Sequence, residues 1–319
     1  MPVGRDLVAR EACPACNGTS LRSLYACPFD AQPIAGYFAS SPARDAVAGG
    51  TFELDQCATC GLVFQKQVAG PETVAVLYDD QSMSPEETWR REEALYASPH
   101  ALLGNSLELL RVLFYLNRPP STITILDFGM GWAVHLRVAI GYGCACYGVE
   151  ISKNKLEIAK GFGVTLVGVK EAIEQGLRFD FINVDQVLEH VAAPFSVLGS
   201  VVPLLKPDGV IKLSVPNTLR PRAQLRNPDW EQARTGRGRL NAFAPLEHVN
   251  SFSGPSLRAM AARAGLRRVS VPEVAMINLP GRSLLDRRKD PLRRLYARYY
   301  YWSPRNSTHL FFELNEARG

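Results

Sequence analysis

Two Cys-x-x-Cys pairs, Cys13 with Cys16 and Cys57 with Cys60, carry the strongest chemical signal in the chain. Each pair can grip one metal ion from the two ends of a tight turn, and two pairs complete a tetrahedral thiolate site for zinc. Pro14 lies inside the first turn and Gly61 follows the second. With all four positions taken by sulfur, no ligand position stays open, so the expected ion is structural. A redox dithiol is the rival reading, but such motifs normally come singly beside a βαβ pattern. Seven cysteines is an odd number and argues against a complete disulfide framework. Cys27, Cys144 and Cys146 lack comparable partners, and the last two read as core.

A second kind of chemistry gathers where strands are expected to end. The segment ITILDFGMGWAVHL places Gly129 and Gly131 after a strand, where backbone can approach a ligand and a following helix favours negative groups. Val134 stands where a dinucleotide fingerprint needs its third glycine, and no P-loop occurs. Glu150 ends YGVE, where a carboxylate can hold both hydroxyls of a ribose. His190 closes VLEH and His248 lies in PLEHVNSFS, each preceded by a glutamate, Glu189 and Glu247. A carboxylate beside an imidazole can orient it and raise its basicity, so these pairs are candidate general bases. His135 and His309 read as structural, and His100 is uninformative.

The elements that must position these groups follow from periodicity. From Ser121 onward, β-branched runs alternate with helical segments, which predicts a parallel sheet wrapped by helices. The expected strands are 122–127, 145–149, 165–167, 181–184 and 210–215, with helices at 134–140, 154–160 and 195–205. A helix opened by Ser253 and Pro255 follows, then strands at 267–271 and 308–314. Residues 84–117 read as helical. The domain reading is a metal-binding lobe over 1–75, a helical linker or lid over 76–120 and the α/β domain over 121–319.

LDFGMG, YGVEIS, FDFINVDQVLEHV and LLKPDGVIKLSVPN stand in an order and spacing that resembles the class I S-adenosylmethionine-dependent methyltransferases. The resemblance implies an α/β fold, a Rossmann-like sheet, with S-adenosyl-L-methionine as cofactor. It implies that Asp127, Gly129 and Gly131 line its methionine and ribose, that Glu150 takes the ribose hydroxyls, and that Ile151 packs on the adenine. Asp185 and Gln186 would face the site. CPAC and CATCGLVFQ placed before such a core resemble the zinc module of the sugar C-methyltransferases and their relatives, which implies a small zinc-ribbon-like lobe holding structural Zn on Cys13, Cys16, Cys57 and Cys60. In that group a tyrosine base stands a few residues before the second Glu-His, where this chain has Pro245. Methylation of a hydroxyl, with His248 or His190 as base, is therefore at least as well supported as methylation of carbon. Some relatives carry a divalent ion on E-x-x-E-H; here Gln186 replaces the first carboxylate, which disfavours a catalytic metal.

Composition bounds the partners. Hydrophobic residues make up 46% and charged residues 21%, ordinary for a folded chain with a sizeable core. No run reaches the roughly 18 uncharged apolar residues of a spanning helix. The N-terminal segment has no apolar signal region, so a cytoplasmic setting is expected. From Pro216 onward there are 19 Lys and Arg against 8 Asp and Glu, although the whole chain is only +5. Six arginines fall in 220–239, and a second basic and aromatic cluster spans 282–302. Arginine forks match phosphate oxygens, so the expected partner is a small anionic acceptor such as a nucleotide-linked sugar or glycan precursor. Methylation of RNA and a silent scaffold that only binds the cofactor are the alternatives.

Overall fold

The computed structural model describes residues 7–38, 44, 47–70, 73–74, 85–96, 98–230, 240–272 and 307–315. The N-terminal part contributes β1 (Leu7–Ala9), β2 (Leu21–Pro28), β3 (Thr51–Cys57), β4 (Val63–Gln65) and β5 (Gln67–Ala69). Two helices follow, α1 (Pro85–Tyr96) and α2 (Pro99–Leu116). The Ser98 hydroxyl accepts from the Ala101 N–H and Pro99 opens the first turn of α2, while Asn117 in the left-handed region stops it. The α/β part runs β6 (Thr124–Phe128), α3 (Val134–Gly141), β7 (Ala145–Val149), α4 (Lys153–Lys160), β8 (Thr165–Leu166), α5 (Val169–Glu174), β9 (Phe179–Asp185), α6 (Pro194–Val201) and β10 (Leu205–Pro216). It closes with β11 (Asn250–Ser251), α7 (Gly254–Arg263), β12 (Leu266–Val269) and β13 (Ser307–Leu314).

A seven-stranded sheet has the order β12-β13-β10-β9-β6-β7-β8. Strands β6 to β10 pair in parallel, and β13 runs antiparallel between β10 and β12. The expected strands and the two helices within 84–117 are present. The segment read as a helix over 195–205 ends earlier. Pro203 lacks an N–H, the chain makes a 3-10 turn at Val202–Leu204, and β10 begins at Leu205.

Phe179, Phe181, Ile182 and Val184 of β9 are buried on both faces of the sheet, as a central parallel strand requires. One core face packs β9 and β10 against Leu198, Leu257 and Met260, and it continues without a break into Cys13, Cys57, Leu62 and Phe64. The opposite face is covered by α2 and α3. A third cluster joins Phe38, Phe52 and Leu54 of the cysteine lobe to Trp230, Phe243 and Leu246. The lobe's own sheet, β11-β4-β3-β2, takes its edge strand from residues far along the chain.

Candidate functional site

The glycine turn after β6 has the geometry its residues demand. Gly129 has φ +74°, and a Cβ there would lie 2.5 Å from Val187 Cγ2. Gly131 donates its N–H to Glu150 Oε2 at 2.9 Å, while Glu150 Oε1 accepts from Ile151 N at 2.8 Å and Ser152 N at 2.9 Å. Glu150 is thereby fixed at the end of β7 and faces the turn. Ile151 is 93% exposed, a large apolar side chain offering a flat surface. Ala133 takes the left-handed region at the start of α3, a conformation that costs a non-glycine residue roughly 1–2 kcal/mol. From α1, Glu92 accepts from Trp132 Nε1 at 3.0 Å, and Trp89 lies 5.5 Å from the Trp132 ring. The strand end thus brings together a carboxylate, an exposed apolar side chain and a turn with glycine at 129 and 131.

Asp127 does not face open space. It is buried beneath the turn, accepts from Asn183 Nδ2 at 2.8 Å and is pushed up to about 7 by burial. This bond ties β6 to the neighbouring β9. Asp185 and Gln186 do stand at the carboxyl end of β9. Gln186 has φ +54° and donates to Ser214 Oγ at 3.2 Å. Asp185 accepts from Lys212 Nζ at 3.2 Å; burial opposes its charge, but the ammonium holds its carboxyl down at about 2. Lys212 is fully buried in β10 and also pairs with Glu108 of α2. His135 Nε2 and His309 Nδ1 lie 4.0 and 3.8 Å from the same glutamate, consistent with structural roles. Sequence reading missed Lys212, whose signal was a lysine inside the apolar run VIKLSV.

The four paired cysteines converge. Cys13 and Cys60 sulfurs are 3.5 Å apart, as are those of Cys16 and Cys57, and all four lie within 4.8 Å of one another. Zinc–sulfur bonds of about 2.3 Å in a tetrahedron separate the sulfurs by about 3.8 Å, so the donor set fits such an ion. Hydrogen bonding from Cys60 pulls the Cys13 thiol down to about 5 and pushes Cys60 up. Cys27, Cys144 and Cys146 are buried elsewhere.

Glu189, His190 and His248 also come together, although 57 residues separate the second from the third. The imidazole centroids are 4.6 Å apart and steeply inclined. His190 Nδ1 lies 3.0 Å from the Glu247 carbonyl, and His248 Nδ1 bonds the Asn241 carbonyl. Glu189 is completely buried, with Oε1 3.9 Å from His190 Nε2. Burial pushes its carboxyl up to about 8, pushes His190 down to about 4 and lowers His248.

Two expectations are corrected by this geometry. Backbone carbonyls, not the neighbouring glutamates, orient the imidazoles, and burial lowers their basicity rather than raising it. Glu247 is exposed and outside the cluster; its Oε1 accepts from Tyr37 of the cysteine lobe at 2.6 Å.

The turns that carry these side chains are held by residues the sequence did not single out. Gln65 of β4 donates to the Ala244 and His248 carbonyls at 3.0 and 3.1 Å and accepts from Leu246 N at 3.0 Å. Asn250 of β11 donates to the Leu188 and Val191 carbonyls, spanning the Glu189–His190 turn. The Arg10 guanidinium ties Gln65, Val249, Ala192 and Asn250 into one knot. A cavity of about 60 Å³, lined by Val68, Leu246 and Val249, opens on His190. A larger groove of about 480 Å³ lies at the amino edge of the sheet, between Phe114 and Tyr142, away from these groups.

Of the arginine-rich segment, 231–239 lies outside the described residues, as does all of 282–302; the side chain of His100 does too. Among the described residues no helix is long and apolar enough to cross a membrane.

The family model described as "Methyltransferase domain" matches residues 103–271, just over half of the chain. Curated relatives include the ubiquinone biosynthesis O-methyltransferase of Haemophilus ducreyi, 32% identical over 106 residues that cover 29% of this chain and 45% of that protein. The enzyme of that name from Actinobacillus pleuropneumoniae serotype 5b is 29% identical over a stretch of the same length and coverage. The chain thus spans about half the length of the curated relatives it matches. Similar solved structures include PKMT2 from Rickettsia typhi in complex with AdoHcy, at 19% identity and TM-score 0.41 over 66% of this chain and 52% of that one. Another is the Burkholderia thailandensis 1,6-didemethyltoxoflavin-N1-methyltransferase, at 19% identity and TM-score 0.42 over 66% and 89%.

Proposed function

The chain belongs to the methyltransferase-domain family, and from that premise we propose that it transfers the methyl group of S-adenosyl-L-methionine to a hydroxyl oxygen of a small anionic acceptor, such as a nucleotide-linked sugar or glycan precursor. The observation that carries this reading is the adjacency of two half-sites. Val187, which presses on Gly129, lies two residues before Glu189, so the glycine turn and the Glu189–His190–His248 cluster share one edge of the sheet. Oxygen is favoured over carbon because no tyrosine precedes Glu247, and the curated relatives carry O-methyltransferase in their names.

S-adenosylmethionine would supply an electrophilic methyl group on a sulfonium. The protein's residues do the rest. Glu150 holds the ribose hydroxyls, Ile151 backs the adenine, and Asp127 with Asn183 keeps the turn in shape. Asp185, fixed by Lys212, keeps a negative charge at the strand end where a sulfonium would sit. The acceptor hydroxyl is held at Glu189, His190 and His248 and gives its proton to Nε2 of His248 or His190 as its oxygen takes the methyl group. Alignment of donor and acceptor supplies much of the rate of such a displacement. Zinc on the four cysteines would have a purely structural part.

The test is incubation with methyl-labelled S-adenosylmethionine and fractionated extract of the host. Label in small anionic metabolites is the expected result, and it should fall away with Glu150→Ala, which should weaken cofactor binding at least tenfold. Nuclease-sensitive label in macromolecules would overturn the acceptor assignment in favour of RNA. Cofactor binding with no labelled product in any fraction would favour a silent scaffold.

A further inference from the structure

Resting on the function proposed above, we propose that Glu108 and Lys212 are positioning residues acting through Asp185. Together they make the donor site prefer a cationic sulfonium to a neutral thioether, and so S-adenosylmethionine to its demethylated product, S-adenosylhomocysteine.

A lysine inside an apolar strand needs a physical reason. Strand β10 alternates its faces: Ile211, Leu213 and Val215 pack into one core, and Val210 into the other, beneath α2. Lys212 and Ser214 fall on the face of Val210, and Lys212 is completely buried. A buried ammonium is costly unless it is paired. Two carboxylates share this one: Nζ bonds Glu108 of α2, and Asp185 Oδ2 accepts from it at 3.2 Å. Burial opposes all three charges, yet Lys212 holds both carboxyls below their usual range and they in turn push the ammonium up. The group is therefore ionised as a whole, with two negative charges to one positive.

Its position gives that excess a use. Phe128 of β6 pairs with Val184 of β9, so the next residues, Gly129 and Asp185, leave the sheet side by side. The Asp185 side chain is 39% exposed there, whereas Lys212 is shut away from solvent. Ser214, its register partner on β10, also bonds the Asp185 carboxylate. An isolated Asp185–Lys212 pair would be neutral, and its field would fade within a few ångströms. Glu108 claims the same ammonium and restores a net negative charge. The lysine fixes the carboxylate, and the glutamate keeps the lysine from cancelling it.

A sulfonium carries a full positive charge. When its methyl group leaves, the sulfur keeps the electron pair of the broken bond and becomes neutral. An excess negative charge at this strand end holds the donor and is indifferent to the product, which favours exchange of one for the other. Even at the dielectric of water, a unit charge about 4 Å from another is worth roughly fivefold in affinity.

The experiment is calorimetric titration of the full chain with S-adenosylmethionine and with S-adenosylhomocysteine, at pH 8, above the ordinary histidine range. The wild type should bind the first at least about fivefold more tightly, as that charge predicts. Asp185→Asn should abolish the preference. Glu108→Gln should cut it about threefold or more, and Glu108→Asp, which keeps the charge, should retain it. A merely structural Glu108 would weaken both ligands equally and leave the ratio unmoved. Should Glu108→Gln fail to fold, the double variant Glu108→Met, Lys212→Met removes the pair as a unit, a change that buried pairs often tolerate. Its preference should survive, because the two charges removed cancel; loss of preference there would overturn the proposal. So would a wild type without preference, or an unchanged ratio in Asp185→Asn or in a folded Glu108→Gln. Tight binding of both ligands without preference would sink this proposal alone and leave the proposed function standing. A wild type that binds neither ligand would remove the cofactor reading itself.

Discussion

The molecule gathers two clusters of side chains of the types that can ligate a metal, and they differ in what surrounds them. The four cysteines sit in a lobe of short strands, with every ligand from two tight turns of the lobe itself. Glu189, His190 and His248 come from two turns of the α/β part and are oriented by carbonyls and amides from both parts. The first cluster is closed, four donors for four positions, and can only hold structure together. The second has three donors and a cavity beside it, and can meet a ligand. Local spacing suffices to build the closed site, whereas the open one depends on the whole fold.

The comparison breaks most sharply at the cysteines. Cys57→Ser with Cys60→Ser should abolish zinc content and unfold the lobe, since such sites contribute on the order of 10 kcal/mol. Because β4 and Gln65 hold the His248 turn, methyl transfer should vanish with it. Zinc analysis together with near-ultraviolet circular dichroism would check this, and unchanged zinc content would refute a four-thiolate site.

A smaller change probes the joint between the clusters. Gln65→Ala removes three buried hydrogen bonds and should lower kcat at least tenfold while leaving cofactor affinity unchanged. Equal loss of cofactor affinity would mean that Gln65 serves general stability and not the His248 turn.

The smallest effect contrasts the anchored imidazoles with one that is not. His135 is buried, neither ring nitrogen has a hydrogen bond among the described residues, and burial pushes it down to about 4. The unfolded chain binds this proton more readily, near pH 6.5. The contribution of His135 is therefore fully present above that value and is lost as pH falls toward 4, about 3 kcal/mol at most. His135→Phe should flatten the fall in stability between pH 6.5 and 4, measured by denaturant titration. An identical slope would assign the acid sensitivity to other groups.

Much of this was legible because it is local. Strands β6, β7 and β9 announce themselves as β-branched and aromatic runs, the glycine turn as DFGMG, and the cysteine site as two spaced pairs. The histidines of the second cluster were legible as residues but not as geometry. Nothing near Glu247 says that its side chain turns to Tyr37, 210 positions away, or that its carbonyl fixes His190. Lys212 with Glu108, and Arg10 with Asn250, likewise join positions 104 and 240 residues apart. Such contacts leave no periodicity, since each is one side chain meeting another across the finished fold.

Strand β11 has a consequence for how the chain is made. It completes the sheet begun by β2, β3 and β4, yet it is synthesised after nearly the whole α/β part. The cysteine lobe leaves the ribosome ahead of it and must therefore wait, with its edge unpaired, until residue 251 has emerged. At roughly 5–20 residues per second, that delay is on the order of ten seconds or more. An excised amino-terminal fragment would lack its last strand and the Leu240–Leu246 side of its core. Anyone moving the lobe to another protein would have to carry both pieces.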